Sequence, residues 1–268
     1  MQKTILITGS TDGIGLEAAK ALYLQGHHLL LHGRSPEKLK AAEKTLSELS
    51  ANGRIENYLA DLSRMAEVEA LGRAISGNHD RLDVVINNAG ILRTTDTFTN
   101  DGLDIRFAVN TFAPCLLTQL LLPLLGPEAR VVNLSSAAQS PVDLKALAGR
   151  TRIQDQLNAY AQSKLALTMW SRFMADSHGS NGPIFIAVNP GSLLATKMVK
   201  EGFGMAGNDI RIGADILIRA ALSSEFADAS GKYFDNDSGR FTSPHPDALD
   251  SRKSEQVVRA IETVLAAN

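Results

Sequence analysis

The chain has 268 residues, a net charge of −2, 44% hydrophobic residues and 21% charged ones. That length supports one large core, and nothing in the charge balance suggests a nucleic-acid footprint or a polybasic membrane surface. The lone cysteine, Cys115, excludes an intrachain disulfide framework, and the six histidines lack ligand spacing, so no metal is assigned.

Short apolar runs alternate with longer amphipathic stretches from end to end. The runs predict strands at 4–7, 28–32, 54–59, 83–86, 129–134, 184–188 and 232–234. Helical patterns fill the intervals, at about 13–25, 36–50, 64–77, 100–125, 158–178, 209–222 and 252–266. This order predicts an α/β Rossmann-type fold: a doubly wound parallel sheet of about seven strands, helices on both faces, one domain over 1–268. The unbroken Val84-Val85-Ile86 suits a strand buried on both faces. Two segments, 137–158 and 192–208, fit no regular element; as loops at strand carboxyl ends they are expected to line a substrate site.

The run at 5–7 leads straight into glycines, so it reads as a strand and not as a signal segment. The apolar stretch 112–125, interrupted by Pro114, Thr118, Gln119 and Pro123, reads as too short to cross a bilayer. A cytoplasmic protein without membrane insertion is the expectation.

Gly9, Gly13 and Gly15 fall between the first strand and the first helix, with Ser10, Thr11 and Ile14 completing the turn. Glycines there let a pyrophosphate approach the backbone and the helix N-terminus. Asp12 reads as the N-cap of that helix. At the end of the second strand an acid would hold a ribose 2′-hydroxyl, whereas an arginine suits a 2′-phosphate. The run His32-Gly33-Arg34-Ser35-Pro36 has no acid, and Arg34, aided by Ser35, points to NADP(H) over NAD(H).

Tyr160 and Lys164, four residues apart, share one face of a helix. A fixed cation there favours the phenolate, which predicts a Tyr160 pKa below the ordinary value of about 10. Pro114 lies four residues after Asn110 and has no amide hydrogen, so the Asn110 carbonyl should be released and the helix should kink there.

These pieces occur together in an order that resembles the short-chain dehydrogenase/reductase family, on its retinol-dehydrogenase-like side. They are Thr8-Gly9-x-x-x-Gly13-Ile14-Gly15, Asp61-Leu62, Asn87-Asn88-Ala89-Gly90, Asn110, Val132-Asn133-Leu134-Ser135-Ser136, Tyr160-x-x-x-Lys164 and Asn189-Pro190-Gly191. The resemblance implies a dinucleotide held also by Asp61, Leu62, Asn87, Ala89, Gly90, Pro190, Gly191 and Thr196. It implies a catalytic group of Asn110, Ser136, Tyr160 and Lys164, with a proton-relaying water at the Asn110 carbonyl. It further implies a small-molecule carbonyl or alcohol substrate and a homodimer or homotetramer. Two departures stand out. Ser136 precedes Tyr160 by twenty-four residues, about twice the usual separation, and Thr196 lies one residue further from Pro190 than usual.

In the reaction so implied, Tyr160 gives a proton to the carbonyl oxygen that receives the hydride, and Ser136 hydrogen-bonds the same oxygen. Leu193, Leu194, Met198, Val199, Phe203 and Met205 suggest a lipophilic substrate. A dinucleotide-binding regulator without turnover is the alternative; it would be favoured by loss of the tyrosine or the lysine, and both are present.

Overall fold

The computed structural model describes residues 1–204 and 206–267, the side chains of 201–203 apart. Its strands are β1 (Thr4–Ile7), β2 (His28–Gly33), β3 (Arg54–Leu59), β4 (Leu82–Asn87), β5 (Leu125–Leu134), β6 (Ile184–Asn189), β7 (Tyr233–Asp235) and β8 (Arg240–Thr242). The helices are α1 (Gly13–Leu24), α2 (Pro36–Ser47), α3 (Met65–Asn78), α4 (Ile105–Phe107), α5 (Ala113–Leu121), α6 (Leu144–Leu147), α7 (Gln156–His178), α8 (Lys197–Phe203), α9 (Arg211–Leu222) and α10 (Ser251–Ala267). All eight strands join one sheet in the order β3-β2-β1-β4-β5-β6-β7-β8, and only β7–β8 is antiparallel.

Alternation along each strand sends successive side chains into opposite layers. Leu6 and Val85 enter the layer that contains Phe112, Trp170 and Phe185, beneath α3, α5, α7 and α10. Ile5, Ile7, Val84 and Ile86 enter the other, with Leu22, Leu39 and Leu217 of α1, α2 and α9. Both faces are therefore covered, which is why the central strands read as unbroken apolar runs. The order reverses between β1 and β4, and the carboxyl ends of the strands on either side open a crevice there.

Four expectations need correction. An eighth strand exists: β7 and β8 are three residues each, joined through a turn with Gly239 at φ +68, and runs so short carry no periodic signal. The helix expected from residue 100 starts at Ile105, because Asp104 accepts from the Arg106 amide and caps it there. β5 begins at Leu125, which pairs with Leu82 before the register shifts ahead of Val84–Arg130. The segment 137–158 holds one short helix, α6, capped by Asp143, and 192–208 holds α8, capped by Thr196.

The apolar stretch at 112–125, expected to be too short for a bilayer, belongs mostly to a longer helical run, Ile105–Leu124, whose 20 residues are long and apolar enough by length and composition. In the fold, 61% of that window is buried, with α5 packed against α3. Its middle is not α-helical. Ala108–Phe112 is a π turn in which the Ala113 amide donates to the Ala108 carbonyl. Where a kink was expected at Asn110, the helix instead widens into this turn just before Pro114, whose ring nitrogen has no proton for the Asn110 carbonyl.

Candidate active site

The glycine turn closes on itself. Gly9 and Gly13 take φ of +65 and +59, the left-handed region where glycine is unstrained. A Cβ on Gly15 would stand 2.3 Å from the Gly9 carbonyl oxygen and 2.5 Å from Asn88 Nδ2, so no side chain fits. Asp12 caps α1 through the Gly13 amide at 2.8 Å, as read from the sequence, and its second oxygen meets Lys38 Nζ at 3.1 Å.

This turn forms one end of a cavity of about 350 Å³ at the β1–β4 crevice, lined by Gly9, Thr11, Gly13, Ile14, Arg34, Asp61, Leu62, Ala89, Gly90, Tyr160, Lys164, Pro190 and Thr196, all predicted. A wider cleft of about 1440 Å³ shares the walls formed by Arg34, Asp61, Gly90, Ile91 and Met198, and extends over residues 91–101. Four predicted cofactor residues sit behind these walls. Ser10 is fully buried, its hydroxyl and amide both spent on the β2 backbone at His32. Gly15 packs on Gly9, and Gly191, at φ +115, lies outside the lining set. Asn87 corrects the resemblance most clearly. It is buried and bonds Asn133 Oδ1 at 2.8 Å and Thr118 Oγ1 at 3.1 Å, because alternation along β4 points it into the helix layer. Its neighbour Asn88, not singled out, bonds the Thr8 and Gly9 carbonyls at 2.9 and 3.1 Å and lines the cavity.

At the end of β2, Arg34 is exposed and borders both cavities. Ser35 does a different job from the one expected. Its hydroxyl accepts the Lys38 amide at 3.2 Å as the N-cap of α2 and donates to Glu37 at 2.7 Å. Asp61 turns its carboxylate back on Ser63, whose amide and hydroxyl lie 2.9 and 2.8 Å away.

The predicted catalytic group converges at the other end. Lys164 is buried and donates to the Leu134 carbonyl at 2.6 Å. A methyl on Gly90 would meet both Lys164 Nζ, at 3.5 Å, and Asn110 Oδ1, at 3.4 Å. Asn110 uses its own side chain as a brace, joining the Ile91 amide and carbonyl at 2.8 and 2.9 Å and Ser163 Oγ at 2.9 Å. Its side chain is therefore committed to holding the β4 loop. Ser135 and Ser136 separate cleanly: Ser135 is buried against Thr168 Oγ1 at 2.6 Å, whereas the half-buried Ser136 hydrogen-bonds Tyr160.

Titration runs against the expectation from spacing. Burial raises the Tyr160 pKa above the ordinary phenol value, and the bond to Ser136 only opposes this. Lys164 Nζ stands 5.7 Å from the Tyr160 ring centroid, and burial lowers its own pKa to about 8. Desolvation outweighs the attraction that residue spacing alone suggests. The pair is poised as a neutral acid beside a weakened cation.

Two further residues escape a reading confined to motifs. Tyr233 on β7 donates to the Ser136 carbonyl at 3.0 Å, and Gln139 donates to the same oxygen at 2.9 Å while accepting the His245 amide at 3.1 Å. The C-terminal third thus holds the Ser136 loop by its backbone. Burial, then Asp235 and Asp237, push the Tyr233 pKa well above the ordinary phenol value, so it remains a donor. The apolar set after β6 divides: Met198 lines both cavities, Leu194 is core, and Leu193 is exposed at φ +53. The side chain of Phe203 and residue Met205 lie outside the described residues.

The chain matches the short chain dehydrogenase family model over residues 3–207. It is 30% identical to human retinol dehydrogenase 13 over 277 residues, covering 97% of this chain and 82% of that protein. Among solved structures, an uncharacterized protein from Mycobacterium paratuberculosis superposes with TM-score 0.81 at 26% identity, covering 99% of this chain and 94% of that one. A Shigella flexneri short chain dehydrogenase complexed with NADP gives TM-score 0.68 at 28% identity, covering 87% and 96%. Coverage from end to end, with the glycine turn and Tyr160–Lys164 converging on one crevice, places the chain in the short-chain dehydrogenase/reductase family, in its retinol-dehydrogenase-like branch, as an NAD(P)-dependent oxidoreductase of small molecules.

Proposed function

We propose that this protein is an NADP(H)-dependent oxidoreductase that interconverts a carbonyl and an alcohol on a lipophilic small molecule. One observation carries the reading. A single crevice has a glycine cradle and an exposed arginine, with no acid at the end of β2, on one side, and Tyr160, hydrogen-bonded to Ser136, with Lys164 on the other. The cradle suits a dinucleotide, since Gly9, Gly13 and Gly90 line the cavity with bare backbone, the first two at left-handed φ where a side chain would be strained. Arg34 would take the 2′-phosphate with a planar fork, and Lys38 stands nearby. Kinship with a protein named retinol dehydrogenase and the NADP held by the Shigella relative support both halves of the proposal.

The bound dinucleotide supplies the hydride. Tyr160, protonated at neutral pH, donates to the carbonyl oxygen, and Ser136 donates a hydrogen bond to that oxygen as charge develops. Lys164 would hold the ribose hydroxyls of a bound dinucleotide, and it supplies positive charge when Tyr160 loses its proton. The Asn110 carbonyl, unserved by Pro114, holds a water that returns a proton. Segments 137–158 and 192–208, with Met198, form the apolar mouth. The whole chain works as one domain in the cytoplasm, paired as a dimer or tetramer.

The test is a screen of benzaldehyde, cyclohexanone and all-trans-retinal, following NADPH absorbance. Turnover that favours the more apolar carbonyls is the expected outcome. Tight NADPH binding with no oxidation in any mixture contradicts the proposal and favours a binding protein without turnover.

A further inference from the structure

His32 is a buried histidine whose two ring nitrogens are both engaged, and it joins the glycine turn to the Ala60–Asp61 wall of the dinucleotide crevice. Its Nδ1 lies 3.2 Å from the Gly9 amide, and its Nε2 lies 3.1 Å from the Ala60 carbonyl. A neutral imidazole has one donor and one acceptor. Gly9 N–H can only donate and the Ala60 carbonyl can only accept, so the proton sits on Nε2 and Nδ1 accepts. The backbone of the same residue holds the next amide in the turn: Ser10 N–H donates to the His32 carbonyl at 3.0 Å. Ser10 Oγ in turn accepts the His32 amide at 3.0 Å. Two successive amides of the turn, one at a left-handed glycine, are thus fastened by one residue of β2.

Ala60 precedes Asp61 and Leu62 on the crevice wall, and Gly9 opens the cradle opposite. The ring therefore fixes the span between the two. Given that this crevice holds the dinucleotide, we infer that His32 is a positioning residue for the cofactor: its neutral, Nε2-protonated ring sets the distance between the glycine turn and the Ala60–Asp61 wall. Burial keeps the ring uncharged, with its pKa lowered to about 4, while the neighbouring Asp61 carboxylate acts in the opposite direction. The role belongs to this chain's own residues and does not depend on the identity of the substrate.

Two substitutions separate positioning from stability. Asparagine places an amide oxygen near the Nδ1 position, keeping the acceptor for Gly9 and losing the bond to Ala60. Glutamine reaches the Nε2 position, keeping the donor to Ala60 and losing the acceptor. Calorimetric titration with NADP⁺, and in parallel with NAD⁺, is expected to show His32→Gln binding about tenfold weaker than the parent, the size of one net hydrogen bond. His32→Asn should stay within about threefold of the parent, the half-mimic that keeps the Gly9 acceptor. Asparagine leaves the larger void, so thermal unfolding without cofactor should rank the pair the other way, with His32→Asn the less stable. Affinities that follow stability, or a glutamine variant that binds as well as the asparagine one, overturn the inference.

A second measurement decides the matter if neither variant folds. ¹⁵N spectra of the unmodified protein at neutral pH should show His32 neutral with the proton on Nε2, and Nδ1 shifting together with the Gly9 amide as NADP⁺ is added. A proton on Nδ1, or a ring indifferent to bound cofactor, overturns it equally. A parent protein that binds neither dinucleotide would instead refute the reading of the crevice, leaving the tautomer as an independent result.

Discussion

At the scale of single residues, charge and burial make the sharpest statements. Arg34 is exposed and has no carboxylate at the end of β2 to occupy it, so replacing it with aspartate sets a negative charge against a 2′-phosphate. Arg34→Asp is expected to weaken NADPH binding about a hundredfold and NADH binding by no more than about threefold, since a charge-assisted bond is both lost and reversed. Equal losses for the two, measured by fluorescence titration, would refute the assignment of Arg34. The residue scale is also where spacing misled. Four-residue separation correctly put Lys164 beside Tyr160, but it carries no information on desolvation, which raises one pKa and lowers the other. The sign of the resulting pH dependence is definite. Lys164, with a pKa of about 8, is charged below that pH and neutral above it. The kcat/KM for reduction, which reports the free enzyme, should therefore fall as pH rises through about 8. A profile that stays flat from about pH 6 to 10 would contradict a role for that charge.

At the scale of elements, turns and caps place the site. The β1–α1 turn tolerates nothing beyond hydrogen at Gly15, because a methyl there would press on the Gly9 carbonyl as well as on the Asn88 amide bonded to it. Gly15→Ala should displace the turn, lower the thermal midpoint and weaken dinucleotide binding at least about tenfold; an unshifted midpoint with unchanged affinity would show the turn to be pliable. Elements with a strong pattern were legible in the sequence: the glycine turn, the alternation of strands and helices, Asp12 as a cap and the disruption before Pro114. Those without one were not. The β7–β8 hairpin consists of two three-residue strands, so neither period nor composition marks it. Asn87 and Asn88 could not be ranked by the sequence motif they share. Only the facing of β4 shows that Asn88 borders the crevice while Asn87 is buried beside Asn133. Tyr233 stands ninety-seven residues from Ser136, and no local signal joins them. Tyr233→Phe keeps the ring and removes one donor to the Ser136 carbonyl. We expect kcat to fall about tenfold with cofactor affinity unchanged, and little further loss in a Ser136→Ala background, as residues acting through one another are not additive. Equal losses in both backgrounds would show that Tyr233 acts independently of Ser136.

At the scale of the whole molecule, the family model ends at residue 207, yet the chain beyond it completes the site. α9 closes one layer of the core, α10 the other, and β7 with the His245 turn braces the Ser136 loop. The wide cleft over residues 91–101, with Lys197 and Met198 on its wall, gives this member its own mouth on a shared frame. Fold and cofactor class follow from that frame, whereas substrate choice rests on the mouth, whose contacts depend on loop conformations that residue patterns do not encode. The central claim is that one phenol at the end of the crevice carries the proton that accompanies hydride transfer. Its most direct test is the steady-state rate of Tyr160→Phe on the best carbonyl from the screen, with NADPH affinity measured on the same sample. The account predicts unchanged affinity and a loss of at least about a hundredfold in kcat; turnover at the parent rate would contradict it.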